Sequence, residues 1–406
     1  MTSTLIVVSM LDGKGPTGVE THFNQVIARA RGFDIDASLV CPYPAQRLWA
    51  SAARVARRGV SRLDRERAGI MDAWIQCKVI ESKLVRVVTQ AQARGRSVTL
   101  YAQDPLSALV ALRIKERFDC RVVLVVHYNV SVADELVMKG EAERHGPLWR
   151  FALRTELAAL PRVDMLIFVS QFMRRVVMER LPQLADVRHA VIHNFIGEPS
   201  PPEPRVSYDA DLIAIGTLEP RKNQAFLLRV LARAKERGRR YTLTLVGNGP
   251  DGPSLAALAR ELGVDDQVRF MGFQKNAARL IARHRVLVHA ARVESMGIVL
   301  VEAMAAGRPV LAPAVGGIAE VFDDRIEGFH WPLDDVDAAA ALLVEVLSDE
   351  ALYARLAQAA LQRYRTGFDS DILVSHWLTA LLGSHGPNHG GWQLRAHGAD
   401  GAAFTH

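Results

Sequence analysis

The chain has 406 residues, of which 49% are hydrophobic and 23% are charged, and its formal net charge is +6. This is the composition of an ordinary globular protein, and it excludes a collagen, a coiled coil or a disordered chain for the bulk of the molecule. At roughly 150 residues per domain, the length predicts two or three domains. The small positive charge does not by itself require a polyanionic partner.

Cysteine content and hydropathy indicate the cellular compartment of the protein. Its three cysteines, Cys41, Cys77 and Cys120, are too few for a disulfide framework, which favours a reducing compartment. No apolar run reaches the roughly 18 residues that a membrane-spanning helix needs. The apolar run 4–10 lacks a basic lead and predicts a buried strand rather than a signal peptide. We therefore expect a cytoplasmic protein.

Short apolar runs alternate with longer amphipathic segments in the first half of the chain. The predicted strands there are Leu5–Ser9, Ala37–Cys41, Val98–Tyr101, Val122–His127, Met165–Val169 and Ala190–Ile192. Unbroken apolar runs are typical of parallel strands buried on both faces. Their alternation with helices predicts a doubly wound, Rossmann-like α/β domain over residues 1–198.

A proline-rich stretch, EPSPPEP from Glu198 to Pro204, then interrupts the pattern. It cannot sustain a helix or a central strand, so residues 199–206 are interpreted as a linker. Strands resume at Leu212–Gly216, Tyr241–Val246, Val268–Met271, Val286–His289, Val310–Ala312 and Gly328–Trp331. They predict a second Rossmann-like domain over residues 207–365, facing the first across a cleft.

Two helical patterns, Glu350–Leu361 and Ile372–Leu382, close the folded part of the chain. We expect the helix within residues 366–384 to return to the N-terminal domain. Residues 385–406 are rich in Gly, His and Ala without periodicity, and we expect a disordered tail.

The strongest local signal is the string ESMGIVLVE, which places seven residues between Glu294 and Glu302. It predicts a helix that begins near Gly297 and ends at Gly307, a left-handed C-cap. Amides of the loop at Ser295, Met296 and Gly297, together with the helix dipole, would favour a diphosphate. The two carboxylates can accept hydrogen bonds from sugar and ribose hydroxyls. As an isolated pair they would be interpreted as solvated helix residues.

With its flanking strands, this string resembles the E-x₇-E signature of the retaining GT-B glycosyltransferases of family 4, the glycosyl transferases group 1. Other segments resemble the same family in the same order from about Val7 to Phe322. They are GVETH at 18–22, VVHYN at 125–129, FVSQFMR at 168–174, IGTLEPRKN at 215–223, LVGNGPD at 245–251, VRFMGF at 268–273 and GGIAE at 316–320.

The resemblance implies a GT-B fold, with two Rossmann-like domains facing across a cleft, and roles for particular residues. Lys222 would pair with the donor diphosphate, and the loop at Gly18 would approach the donor phosphates. Gly247 lies in the family's Gly-Pro turn, and His127 would lie near the donor sugar. The donor-binding set is then Gly18, Arg221, Lys222, Gly247, Ser295, Met296, Gly297 and Glu302, with His127 and Glu294 as catalytic candidates.

The chain departs from the family pattern at three places. Thr217 stands where the family usually carries an Arg, and Arg221 is the candidate to replace that charge. Met296 replaces a usual Phe, which exchanges one apolar group for another. Thr17 replaces the first glycine of the pair that ends at Gly18.

The family chemistry needs no metal, because Lys222, Arg221 and a helix N-terminus can stabilise a departing diphosphate. The resemblance implies retention of the anomeric configuration. No carboxylate is obviously placed as a covalent nucleophile, so we favour front-face attack, with the leaving phosphate helping to deprotonate the acceptor. His127 would hydrogen-bond the donor sugar; outside the family context it would be interpreted as a structural strand-end histidine.

Other chemistries lack their motifs. D-x-D pairs at Asp34/Asp36, Asp209/Asp211 and Asp369/Asp371 lie before strands or at a helix start, where capping explains them. No His/Cys cluster has zinc spacing, and Ser170 lacks a nucleophile elbow. The loop GKGPTG at 13–18 is not a P-loop, and no G-x-G-x-x-G follows the first strand of either half. We expect no metal and no cofactor other than the nucleotide-sugar substrate.

Residues 46–72 combine seven arginines with aromatic and aliphatic residues. Two interpretations stay open: peripheral contact with an anionic membrane, and a solvated helix packed on the sheet. Nucleic acid is disfavoured because no recognisable module accompanies the arginines.

The leading hypothesis is therefore a retaining hexosyltransferase that acts on a saccharide or lipid-linked saccharide, in the assembly of a cell-surface polysaccharide such as an exopolysaccharide. The alternatives are a GT-B nucleotide-sugar epimerase or hydrolase, and a non-catalytic nucleotide-sugar-binding protein.

Overall fold

A computed structural model describes residues 3–15, 17–43, 64–197 and 208–383. The chain forms two compact units. Unit 1 comprises Met1–His193 together with the chain from Asp371 onwards, and unit 2 comprises Asn194–Ser370. The predicted linker 199–206, the predicted tail 385–406 and residues 46–63 of the basic segment lie outside the described residues.

The core of unit 1 is a six-stranded parallel sheet. Its strands are β1 (Ser3–Val8), β2 (Asp36–Val40), β3 (Ser97–Ala102), β4 (Arg121–Val126), β5 (Met165–Phe168) and β6 (His189–Val191). They lie in the order β2-β1-β3-β4-β5-β6. β1 and β4 are buried almost throughout, as their apolar runs predict, because helices cover both faces of a parallel sheet.

Within the described residues of unit 1, six helices lie between these strands. They are α1 (Gly18–Gly32), α2 (Arg65–Ala93), α3 (Pro105–Lys115), α4 (Val132–Met138), α5 (Pro147–Ala159) and α6 (Gln171–Arg180). Most begin at a residue whose side chain accepts a hydrogen bond from a backbone amide of the first turn. These N-caps are Thr17, Asp64, Asp104, Ser131 and Ser170.

Unit 2 repeats the plan with a different strand order. Its strands are β7 (Ala210–Ile215), β8 (Leu243–Val246), β9 (Val268–Gly272), β10 (His284–Val288), β11 (Val310–Ala312) and β12 (Gly328–His330). They are parallel and lie in the order β12-β11-β10-β7-β8-β9. The direction of strand order reverses between β7 and β10, and ligands bind beside such a switch point in open α/β sheets. All twelve predicted strands of the two units are thus confirmed.

Helices cover the sheet of unit 2 as well. They are α7 (Gln224–Glu236), α8 (Gly252–Glu261), α9 (Ala278–Ile281), α10 (Ile298–Ala305), α11 (Val336–Ser348) and α12 (Glu350–Gly367). Leu228, Val286, Leu311 and Leu356 are fully buried in one core cluster that joins the helices to the strands.

The last described helix, α13 (Ser370–Leu382), is mostly part of unit 1. The indole nitrogen of Trp377 donates to the carbonyl of His193 at 2.9 Å, and its ring lies 4.4 Å from that of His22. The Thr99 hydroxyl on β3 donates to the Leu381 carbonyl at 3.3 Å. Among the described residues, no helix has both the length and the apolar content that crossing a bilayer requires.

Candidate functional site

Two loops of unit 2 meet beside the switch point between β7 and β10. The loop after β7 contains a short 3₁₀ turn at Pro220–Lys222, and Asn223 follows it with a left-handed backbone, φ 54°. The backbone amide of Arg292, in the loop after β10, donates to the Arg221 carbonyl at 2.9 Å. This contact holds the two loops together, and it explains how residues far apart in sequence form one site.

Lys222 and Glu294 form an ion pair between these loops. The Lys222 ammonium donates to Oε2 of Glu294, and both side chains are largely buried. Arg221 lies farther away, with its Nη1 atom 3.9 Å from the same oxygen. Its guanidinium instead donates to Glu219 at 2.8 Å and to the Val293 carbonyl at 3.3 Å. Lys222 is therefore the principal cation at Glu294, while Arg221 is mainly engaged by Glu219.

The charge state of Glu294 follows from its neighbours. Desolvation, the largest single influence, would raise the pKa of this carboxyl, but the Lys222 ammonium, together with His289 and Arg221, outweighs burial and holds the pKa well below its usual range. His289, which follows β10, places its Nε2 atom 3.5 Å from Oε2 of Glu294. Burial lowers the pKa of His289, so its imidazole is neutral at pH 7. The site thus contains an ionised carboxylate, a lysine and a neutral histidine.

Glycines bring the backbone close to Glu294. The Gly317 amide donates to the Glu294 carbonyl at 2.9 Å. Gly316 has a φ of +58°, and a Cβ atom there would lie 2.1 Å from the same carbonyl oxygen. The close approach therefore requires glycine at position 316.

Gly247 makes a similar close approach at the end of β8. A Cβ atom on Gly247, whose φ is +140°, would lie 2.0 Å from the Gly216 carbonyl oxygen. The Gly247 amide donates to the Gly272 carbonyl at 2.9 Å. Gly247 therefore allows the strand-end loops to pack, and its predicted contact with a donor stays a prediction.

The predicted helix of the E-x₇-E string is present as α10. Gly297 is its N-cap with φ +83°, and Gly307 follows its end with φ +62°, as predicted. The Met296 side chain is 1% exposed, and its sulfur accepts from the Asn194 amide at 3.2 Å. Met296 is therefore part of the packing of this loop, and its predicted contact with a donor stays a prediction. Ser295 lies in the same loop, two residues before the N-cap.

Glu302 has a different environment from Glu294. It lies within α10 and is partly buried among apolar neighbours. Within the described ranges, no hydrogen-bond donor pairs with its carboxylate. Burial raises the pKa of Glu302 to about 7, so the group is partly protonated at neutral pH. A ligand that donates a hydrogen bond to the ionised carboxylate would lower the pKa of Glu302.

In unit 1, Gly18 is the first residue of α1. Thr17 accepts from the Glu20 amide at 3.2 Å, and the buried Glu20 carboxylate accepts from the Gly15 amide at 2.9 Å and from the Thr17 hydroxyl at 2.8 Å. This capping box fixes the loop before the helix. The predicted approach of Gly18 to phosphate stays a prediction.

His127 follows β4 in unit 1 and is half-buried. Its Nε2 atom lies 3.3 Å from Oε1 of Gln103, the residue after β3. Burial lowers the pKa of His127 to about 3, so its imidazole is neutral. The His22 ring lies 5.3 Å away in an edge-to-face arrangement.

The structure therefore brings Arg221, Lys222 and Glu294 together in unit 2, while His127 and Gly18 belong to unit 1. Sequence reasoning missed His289 and Gln103. His289 ends a predicted strand, as His127 does, so its position at a strand end could have identified it as a candidate site residue. Gln103 carries no such signal, because its importance comes from a contact with the neighbouring strand.

The D-x-D pairs have structural roles where their contacts are known. Asp36 pairs with Arg96 at 2.5 Å, Asp209 with Arg283 at 2.9 Å, and Asp371 with Arg29. Asp211 accepts from the Thr242 amide at 2.8 Å. In the described part of the chain, no three His, Cys, Asp or Glu side chains are grouped as metal ligands.

Family models match almost the whole folded chain. The model for Glycosyltransferase Family 4 matches residues 16–197, and that for Glycosyl transferases group 1 matches residues 200–363. Together they cover both units.

Curated relatives agree with these matches. The glycogen synthase of Mycobacterium tuberculosis is 30% identical over 286 residues, which are 68% of this chain and 66% of the relative. The N-acetyl-alpha-D-glucosaminyl L-malate synthase of Bacillus anthracis is 34% identical over 137 residues, which are 34% of this chain and 36% of the relative. The chain thus spans between 36% and 66% of the length of these two relatives.

Solved structures show the same fold. Anabaena Alr3699/HepE in complex with UDP and glucose is 19% identical, with a TM-score of 0.67 over 93% of this chain and 99% of that one. At this identity the likeness shows the fold alone, which is GT-B. With the two family matches, it shows that the chain belongs to the family-4-type GT-B glycosyltransferases.

Proposed function

We propose that the chain is a metal-independent, retaining glycosyltransferase. It transfers a hexose from a nucleotide-diphosphate sugar to a saccharide or lipid-linked saccharide, in the assembly of a cell-surface polysaccharide. The observation that supports this proposal best is the Lys222–Glu294 ion pair beside the switch point of unit 2. Family membership and the UDP and glucose in Alr3699/HepE support the class of donor.

The ion pair suits exchange with a diphosphate. Lys222 is a compact cation on a long side chain, and phosphate oxygens compete with the Glu294 carboxylate for its hydrogens. Glu294 is ionised, so once it shares the lysine it can accept hydrogen bonds from sugar hydroxyls. The Glu302 carboxylate would accept hydrogen bonds from the hydroxyls of the ribose. In this proposal Lys222 and Glu294, which contact each other, bind and orient the diphosphate and the sugar, and Glu302 binds the ribose.

In the proposed reaction, the bond between the anomeric carbon and the diphosphate oxygen breaks. The acceptor oxygen bonds to the same carbon from the same face, and its proton passes to the departing phosphate. Lys222, with Arg221 and the loop before α10, stabilises the negative charge that develops on the diphosphate. His127, which is neutral, hydrogen-bonds the sugar.

A donor panel tests this function. Purified full-length chain is mixed with several nucleotide sugars, with and without saccharide acceptors and with and without EDTA. Thermal shift, nucleotide release and the anomeric configuration of the product are measured. We expect one donor to stabilise the chain and to be consumed only with acceptor, also in EDTA.

Three variants locate the site in this assay. Glu294→Ala and Lys222→Ala should lose the donor-induced thermal shift, while Lys275→Ala, which removes an exposed lysine of the same unit, should keep it. A shift that persists unchanged in both site variants would contradict the proposed site. Free sugar or an epimer formed without acceptor would instead support the hydrolase or epimerase alternative.

Helix α2, which begins within the basic segment 46–72 and continues beyond it, supports peripheral contact with an anionic membrane as part of this proposal. Trp74 on α2 is 57% exposed, and the Lys78 ammonium lies 5.7 Å from its ring. Arg67 is exposed one heptad earlier on the same helix. Tryptophan beside basic residues suits the interface of an anionic bilayer.

Sedimentation with phosphatidylserine vesicles tests this membrane contact. We expect binding that weakens in Trp74→Ala, and no binding by the wild-type chain would refute the contact.

A further inference from the structure

Gln103 and His127 are neighbours at the carboxyl end of the sheet in unit 1. They follow β3 and β4, which pair in parallel. Gln103 is 5% exposed, so its amide is buried against this edge of the sheet. Its Oε1 atom lies 3.3 Å from Nε2 of His127.

The orientation of the Gln103 amide is set by a second contact. Its NH₂ group lies 3.5 Å from the backbone carbonyl oxygen of Tyr101 and donates to it. A carbonyl oxygen only accepts hydrogen bonds, so a flipped amide would bring two acceptor oxygens together. Oε1 is therefore the atom that faces His127.

This orientation determines which nitrogen of His127 carries hydrogen. An amide oxygen only accepts, so Nε2 of His127 must donate to it. A neutral imidazole has one donor and one acceptor nitrogen, so Nδ1 is left as the acceptor. Burial lowers the pKa of His127 to about 3, which keeps the ring in this neutral form.

The surroundings leave Nδ1 available. In the parts of the chain that the structure describes, no group hydrogen-bonds to Nδ1 of His127, and the residue is partly exposed. The His22 ring lies 5.3 Å away, and its own Nε2 is 2.9 Å from the Tyr101 hydroxyl. An acceptor nitrogen at this edge suits a ligand hydroxyl and disfavours an anionic oxygen.

We propose that Gln103 is a positioning residue that holds His127 in the Nε2–H tautomer, so that Nδ1 accepts a hydrogen bond from a hydroxyl of the transferred sugar. The sugar contact rests on the proposed function, whereas the tautomer belongs to the resting protein. The two parts can therefore be tested separately.

The tautomer is measured without substrate. Full-length chain labelled with ¹⁵N-histidine is studied by long-range proton–nitrogen correlation at neutral pH, and His127→Asn identifies the His127 signals. We expect a protonated Nε2 and an unprotonated Nδ1. An Nδ1–H tautomer or an imidazolium in the wild-type chain would overturn the proposal.

Variants then test the role of Gln103. Gln103→Met keeps the side-chain volume but removes the acceptor, so His127 should populate both tautomers and kcat/KM should fall about tenfold. Gln103→Glu restores an acceptor, so Nε2 should again carry hydrogen. Gln92→Met is the matched control, because Gln92 in the same unit donates to the Asp119 carbonyl and does not contact His127.

A melting temperature near that of the wild type shows that each variant is folded. If Gln103→Met keeps a single Nε2–H signal, or if Gln92→Met changes the tautomer as much, Gln103 does not position His127. If the tautomer changes and kcat/KM does not, the contact with the sugar hydroxyl is refuted. A wild-type chain that is inactive on every donor refutes the proposed function, while the tautomer result stands on its own.

Discussion

Buried and half-buried carboxylates at the carboxyl ends of the two sheets are stabilised in different ways. In unit 1, Glu20 accepts from the Gly15 amide and the Thr17 hydroxyl, and Asp104 accepts from the Ser107 amide at 2.8 Å. In unit 2, Glu294 depends on the Lys222 side chain. Backbone amides are fixed by the fold, whereas a lysine side chain can turn to another anion.

The comparison suggests how to separate structural carboxylates from binding ones. The carboxylates of unit 1 complete the starts of α1 and α3, so a ligand that took their donors would disrupt a helix. Glu294 does not complete the start of a helix in this way, and a bound ligand can share its partner, Lys222. We therefore expect the two sites to respond differently to substitution.

The largest effect should follow from breaking the ion pair. Lys222→Met leaves the Glu294 carboxylate buried without its main cation, which should destabilise unit 2 by about 3 kcal/mol. Lys222→Met combined with Glu294→Gln should recover most of this loss, because no unpaired charge remains. Hydrogen exchange of the α10 amides, followed by mass spectrometry, measures the local stability. Equal losses in the single and double variants would contradict the dependence of Glu294 on Lys222.

The next effect tests the close approach of the glycine loop. Gly316→Ala adds a Cβ atom 2.1 Å from the Glu294 carbonyl oxygen at a φ of +58°, so we expect a loss of about 2–4 kcal/mol and of donor binding. Gly238→Ala is the matched control, since its φ is +74° but no atom lies within 4 Å of the added carbon. It should cost only about 1 kcal/mol. Urea unfolding of the two variants compares them, and similar losses would show that backbone strain alone is responsible.

A smaller, pH-dependent effect is expected at Glu302. Its pKa in the folded chain is about 7, above the ordinary value of 4.5, so the folded state retains a proton that the unfolded chain releases. The contribution of Glu302 to stability is therefore present below about pH 4.5 and is lost as the pH rises to 7.

Glu302→Gln removes this dependence. The variant should become more stable than the wild type, by about 1–3 kcal/mol, as the pH is raised from about 5 to about 8. Urea unfolding across that range measures the difference, with Glu261→Gln, an exposed glutamate of the same unit, as the control. A difference that is constant with pH would mean that Glu302 is not titrating in this window.

The smallest effect is expected in unit 1. Thr17→Ala removes one side of the capping box and should cost about 1 kcal/mol, with a much smaller loss of donor affinity than Lys222→Ala. Thr366→Ala, a threonine inside α12 whose hydroxyl bonds within its own helix, is the control and should cost less. Thermal unfolding and donor titration of both variants test this. A loss of donor binding in Thr17→Ala as large as that in Lys222→Ala would erase the distinction between the two sites.

Strand positions could be predicted because they depend on local patterns. Apolar runs such as 122–126 and 286–288 are buried on both faces, and the bounds of α10 follow from Gly297 and Gly307. The Lys222–Glu294 pair joins residues 72 positions apart, so no local pattern reports it. The same holds for Gln103, whose contact with His127 depends on β3 and β4 being neighbours in the sheet.

The position of α13 has a consequence for how the protein is made. The part of unit 1 that ends at His193 is synthesised well before Trp377, which packs against His22. At typical rates of synthesis the rest of unit 1 waits roughly 10 to 40 s for this helix. During that interval the surface around Tyr101 and His22 is uncovered, so a stop codon shortly before residue 371 would leave a nascent product with an exposed core and a tendency to aggregate.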